Sequence, residues 1–171
     1  LGAGKWSGQF GLEYFEESGR GGRIIDTATN ELQPNIVNLA AWASVRYTPN
    51  RYWVIEGNLR GAYNSRFTHP VVPSFQAKWQ PGPNWQWRIG YARGFRAPSI
   101  RDLFFEFIDI NHYILGNPNA TPELSDNVRV NGQWTDDRPG ANFRYTGNVE
   151  LFYNNITDRI GLVEFNTGQY R

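Results

Sequence analysis

Glu106, Asp109 and His112 stand close together in one short stretch, EFIDINH. Two carboxylates beside an imidazole suggest two chemistries: a metal site, or an acid–base pair of the glycosidase kind at Glu106 and Asp109. Neither of the chain's two histidines has a second His at helical spacing, and irregular backbone seldom presents ligands without further groups to orient them. The expectation is therefore a hydrogen-bonded loop, with no metal, no cofactor and no catalytic residue. Arg96 lies just upstream in GFRAPS and Asn117 just downstream in GNPNATPE. A guanidinium there can reach a carboxylate of the loop or a ligand, and Asn117-Pro118 and Thr121-Pro122 are turn chemistry.

All five residues fall in one segment, Gly94 to Glu123, that follows neither a strand nor a helix period. Pro98, Pro118 and Pro122 remove backbone donors and exclude a long helix. Its aromatics, Phe95, Phe104, Phe105, Phe107 and Tyr113, argue for a packed functional loop, since long loops in ordered proteins are either functional or disordered. Arg96, Glu106, Asp109, His112 and Asn117 are accordingly expected at a ligand entrance.

The remainder of the chain must position that loop, and it alternates with a period of two. Trp6, Phe10, Leu12 and Tyr14 share one face of a first strand. After a polar loop from Glu16 to Pro34, a second strand puts Leu39, Ala41, Ala43, Val45 and Tyr47 on that face. A third carries Trp53, Ile55, Leu59 and Tyr63, and a fourth Val71, Phe75, Ala77 and Trp79. A fifth carries Trp85, Trp87, Ile89 and Tyr91, a sixth Val128, Val130 and Trp134, and a seventh Phe143, Tyr145, Val149, Leu151 and Tyr153. Asn166-Thr167-Gly168 reads as a hairpin tip.

Short turns at Thr48 to Arg51, Gln80 to Asn84 and Asp136 to Gly140 alternate with longer loops. That asymmetry is typical of outer-membrane barrels. Tyr47, Trp53, Trp79, Trp85, Trp134 and Phe143 bracket the short turns on the apolar face, as an interfacial girdle would. The fold expected is all-β, an antiparallel up-and-down transmembrane β-barrel fragment of about seven strands. A soluble or cell-surface β-sandwich that binds glycans is the alternative, because alternation alone does not say which face is wet. Arg93 and Asp126 break the apolar parity; each lies eight residues from a girdle tryptophan, Trp85 and Trp134, so both are expected near the far rim.

The polar face carries Lys5, Arg46, Arg60, Lys78, Arg88, Arg129 and Arg144 against Glu13, Glu56 and Glu150. Such an excess would attract an anionic ligand or pair with acidic groups outside these strands. Net charge over the 171 residues is only +1, with no basic field of the kind nucleic acids require. There is no cysteine, hence no disulfide or thiolate site. No apolar run is long enough for a membrane-spanning helix. The chain begins at Leu1 and lacks methionine, so it is expected to be a fragment.

YARGFRAPS (Tyr91 to Ser99), DLFFEFIDINH (Asp102 to His112) and GNPNATPE (Gly116 to Glu123), in that order, resemble the barrel of TonB-dependent outer-membrane receptors. KWQPGPNW (Lys78 to Trp85) and LFYNNITDRI (Leu151 to Ile160) resemble it too, while Ala120 and Thr121 stand where such receptors commonly have Leu and Lys. The resemblance implies that residues 1–171 are part of a receptor barrel of about 22 strands. It implies a plug and a final strand outside the chain, and a bacterial outer-membrane location with lipid as neighbour. It also implies uptake of a small-molecule ligand, such as a metal chelate or cobalamin, energised by the TonB complex through the plug region.

Overall fold

The computed structural model describes residues 5–24, 33–136, 138, 143–166 and 169–170. Seven long strands form one antiparallel sheet: β1 (Lys5–Ser18), β2 (Asn35–Asn50), β3 (Trp53–Asn64), β4 (Val72–Trp79), β5 (Trp85–Arg96), β8 (Glu123–Thr135) and β9 (Thr146–Thr157). They lie side by side in chain order, with β1 and β9 as open edges. Between β5 and β8 the chain forms helix α1 (Ile100–Phe104) and a hairpin, β6 (Glu106–Ile108) and β7 (Tyr113–Leu115). After β9, β10 (Glu164–Asn166) and β11 (Gln169–Tyr170) join that hairpin in a second sheet ordered β10-β11-β7-β6. The segment read as irregular thus has its own secondary structure. Gly94 to Arg96 belong to β5 and Glu123 to β8, and the loop closes on the register pair Arg96 and Glu123.

The period-two reading sets the faces of the sheet. Leu39, Val45, Leu59, Phe75, Ile89 and Val149 are all exposed on the apolar face, and Phe10 is 85% exposed. Among the described residues no second layer covers them, whereas a sandwich would bury its apolar face. The buried apolar cluster among the described residues lies elsewhere: Ile36 of β2 with Ile100, Leu103 and Phe104 of α1. Ile36 shares its side of β2 with Asn38, Ala40 and Trp42, so the loop packs over the polar face.

The aromatic band exists with altered membership. Trp53 stacks on Trp79 at 5.7 Å, and Trp85 on Trp87 at 6.0 Å. Trp79 opposes Trp87, and Trp85 opposes Trp134. Trp6 stacks on Tyr47 at 4.2 Å and extends the band to the β1 edge. Phe143 does not belong to it. The connection after β8 is longer than the sequence suggested, β9 begins only at Thr146, and Gly147 is the residue opposite Trp134. Arg144 likewise precedes β9 rather than lying on it. Asp136, at the start of this connection, is held by Arg138 at 2.6 Å, and that guanidinium keeps its carboxyl below the usual range. The rest of the turn expected at Asp136 to Gly140, and Thr167-Gly168 of the expected hairpin tip, lie outside the described residues.

Candidate functional site at the loop end of the sheet

Helix α1 is only five residues long, too short for a helical period to show in the sequence. Its start is nonetheless encoded. Ser99 caps it: the Ser99 hydroxyl accepts from the Asp102 N–H at 3.2 Å while the Asp102 carboxylate accepts from the Ser99 N–H at 3.0 Å. This reciprocal capping box satisfies two otherwise orphaned donors. The spacing Ser99-x-x-Asp102 was the available signal, weakened by Asp standing where Glu or Gln is usual. Ile100, Leu103 and Phe104 then share one side and bury against Ile36, with Ile24, Phe67 and Ala120 around them. Each such side chain contributes roughly 1.5–3 kcal/mol on burial. Glu17 of β1 accepts from the Ile100 N–H at 3.3 Å, so α1 spans from β5 back to the first two strands.

Arg96 sits at the root of this assembly. Its guanidinium lies 3.3 Å from Asp102 and 3.7 Å from Glu123, and Glu123 in turn accepts from the Ile160 N–H at 3.1 Å. One side chain thus links α1, β8 and the chain beyond β9. Asn117 folds the return path: its N–H donates to the Asp102 carbonyl at 2.9 Å and its side-chain oxygen accepts from the Asn119 N–H at 3.1 Å. Gly116 passes so close to α1 that a Cβ would stand 2.6 Å from the Leu103 carbonyl carbon and oxygen.

Asp109 and His112 meet at the hairpin tip, and Glu106 does not join them. Glu106 is exposed on β6, its N–H bonded to the Arg23 carbonyl at 2.8 Å. Asp109 closes the hairpin tip, accepting from the Asn111 N–H at 2.8 Å and the His112 N–H at 2.6 Å, with His112 Nδ1 at 2.9 Å. The Asn111 N–H above all, aided by His112, holds the Asp109 carboxyl below the usual carboxylate range against partial desolvation. Among the described residues no group of three acidic or histidine side chains could hold a metal. The loop aromatics carry cations instead: Arg23 over Phe107 at 4.4 Å, Arg66 over Phe104 at 4.8 Å and Arg101 over Phe105 at 5.1 Å.

Between α1, β7 and the residues after β9 lies a cavity of 740 Å³, within the roughly 300–1,000 Å³ of small-molecule pockets. Arg96, Arg101 and Arg159 bring positive charge to its wall against the carboxylates of Asp102 and Asp158, and Phe105, Ile114 and Ile160 bring apolar surface. Asp158 in the same wall has a φ of 54°, the left-handed region that non-glycine residues rarely occupy. The sequence reading missed Arg101 and Arg159, which become neighbours only because the chain beyond β9 returns to the hairpin. On the polar face below, the three acids each take one cation: Arg46–Glu56 at 2.8 Å, Arg60–Glu13 at 2.8 Å and Arg129–Glu150 at 3.1 Å.

An uncapped apolar face, an aromatic band at the short-turn end and a folded loop over the polar face are features of a receptor barrel wall. The chain belongs to the TonB-dependent receptor family: the family model for the TonB dependent receptor-like β-barrel matches residues 1–171. Its fold is similar to three solved receptors. The siderophore receptor PirA from Pseudomonas aeruginosa aligns with a TM-score of 0.68 at 18% identity, covering 88% of this chain and 28% of that one. The ferric enterobactin receptor PfeA, in complex with BCV-L6, gives 0.68 at 15% identity, covering 88% and 24%. A double mutant of the Serratia marcescens hemophore receptor HasR, in complex with its hemophore HasA and heme, gives 0.74 at 14% identity, covering 98% and 34%. The chain therefore spans about a quarter to a third of the receptors it matches. No curated protein matches its sequence.

Proposed function

We propose that this chain is part of the wall of an outer-membrane receptor that imports a scarce small ligand, with energy supplied by TonB and without catalysis. The observation that carries the reading is the division of the sheet: an apolar face left bare across seven strands, and a polar face over which the long loop folds its apolar side chains. Bare apolar strands are stable against lipid, and a polar interior tolerates solvated charge. The aromatic band then sits at the membrane interface next to the short turns, and the loop assembly stands at the opposite, extracellular end. Its cavity, where Arg96, Arg101 and Arg159 outnumber Asp102 and Asp158 beside apolar groups, is a ligand entrance suited to an anionic chelate. Siderophore and heme receptors among the similar structures support that class of ligand.

Deletion of Asp102 to Leu115 in the receptor that contains this chain tests the reading. Ligand binding and uptake are lost while insertion into the outer membrane is retained. Uptake at the normal rate would remove the loop from the mechanism, and loss of insertion would show that the segment serves folding alone.

A further inference from the structure

Arg93 of β5 and Asp126 of β8 stand directly opposite each other on the apolar face. Opposite charges in that relation ordinarily pair. Here they do not. Asp126 accepts instead from the Tyr91 hydroxyl at 2.6 Å, and Arg93 forms no hydrogen bond or ion pair among the described residues. Its Nε is closed off from solvent with no acceptor. The register pairs of β4 with β5 end at Ser74 and Ala92, so Arg93 lies one residue past the last of them, alongside the first residues of β4 (Val72–Trp79). The strand is flanked there by the segment bearing His69, whose ring lies 3.9 Å from that of Phe95.

A buried donor left without an acceptor costs about 1–3 kcal/mol, and more when it is charged. An apolar face offers little water to make good the loss. Eight residues above Trp85, at about 3.3 Å per residue and a tilt near 40°, Arg93 stands roughly 20 Å from the aromatic band. That is close to the far edge of an apolar band about 25 Å tall, where lipid headgroups lie. We propose that Arg93 anchors a lipid site at the loop-end rim, its guanidinium holding the phosphate of an anionic lipid. The planar fork matches two phosphate oxygens at once, and the acyl chains of that lipid run down the bare apolar face. Tyr91 serves the site indirectly, by holding one oxygen of the carboxylate that faces the guanidinium across the strands. The site rests on the membrane reading given above.

The test uses the detergent-solubilised receptor that contains this chain, titrated with phosphatidylglycerol, with phosphatidylcholine and with inorganic phosphate. Lipid retention is counted by native mass spectrometry, and the melting shift and heat-modifiable gel migration are followed in parallel. Phosphatidylglycerol is retained and raises the melting temperature of the wild type. Arg93→Gln loses both the retained lipid and the shift, and Asp126→Asn keeps both. Equal retention and shift in Arg93→Gln would overturn the site, as would an equal shift from inorganic phosphate alone. Identical losses in Arg93→Gln and Asp126→Asn would instead identify an internal ion pair and also overturn it. Absence of heat-modifiable migration in the wild type is a different failure, that of the barrel reading itself.

Discussion

Lys78 of β4 and Arg88 of β5 are direct partners across the ladder on the polar face, one residue pair inside the Trp79–Trp87 band, and neither has an anion among the described residues. Like charges so placed repel. The neighbouring row holds the opposite arrangement, Arg46 against Glu56 at 2.8 Å. Lys78→Glu converts the first arrangement into the second and is expected to stabilise the wall by about 0.2–1 kcal/mol. Denaturant unfolding of the detergent-solubilised receptor measures it. A loss of stability would mean that an acidic group from outside these seven strands already rests on the pair.

Gly116 tests how tightly the loop is built. A Cβ there would meet the Leu103 carbonyl at 2.6 Å and the Phe104 nitrogen at 2.7 Å, backbone atoms that cannot rotate away. Gly116→Ala is expected to cost about 1–3 kcal/mol of loop stability, as overpacking does. The loop becomes a site of proteolytic cleavage while the barrel still inserts. Protease resistance equal to the wild type would show that the return path shifts freely.

The hairpin tip should titrate. Because Asp109 has a folded-state pKa below its ordinary value, its contribution is complete above the unfolded carboxylate value of about 3.9. It is lost as pH falls through the folded value. The protection of the Asn111 and His112 amides, taken relative to their intrinsic exchange at each pH, therefore falls on acidification below about pH 4, and Asp109→Asn removes that dependence. An unchanged pH profile in the variant would assign the titration to another group.

The strands were legible because a bare apolar face and a polar one impose strict alternation, as at Leu39 to Tyr47 and Trp85 to Tyr91. Equal spacing from Trp85 and Trp134 predicted only a shared height for Arg93 and Asp126; that they are direct partners follows from the pairing of the two tryptophans, which the structure supplies. Parity also explains the error at Phe143. That residue and Gly147, the true partner of Trp134, have the same parity, so alternation cannot tell a shorter turn from a longer one. Within the loop, α1 escaped notice because five residues do not complete a helical period. The cavity escaped because Arg101 and Arg159 are far apart in the chain and are joined by tertiary packing alone.

Arg96 and Leu103 offer two accounts of what holds the loop down, and magnitudes separate them. Arg96 reaches Asp102 and Glu123, but its side chain is 52% exposed, and exposed ion pairs contribute only about 0–1 kcal/mol. Asp102 moreover keeps its capping bonds to Ser99 whether or not Arg96 is present. Leu103 is 2% exposed at the centre of the apolar cluster, where truncation to alanine costs about 2–5 kcal/mol. Hydrogen exchange across residues 100–120 should therefore rise strongly in Leu103→Ala and only slightly in Arg96→Ala. A double-mutant cycle between Arg96 and Glu123 should give a coupling below about 1 kcal/mol. Ligand affinity should rank the two differently: Arg96→Ala weakens binding of an anionic chelate through the cavity wall despite an ordered loop, whereas Leu103→Ala weakens it by loosening the wall itself. A rise in Arg96→Ala as large as that in Leu103→Ala would show that the guanidinium fixes the loop to the barrel as firmly as the buried cluster does.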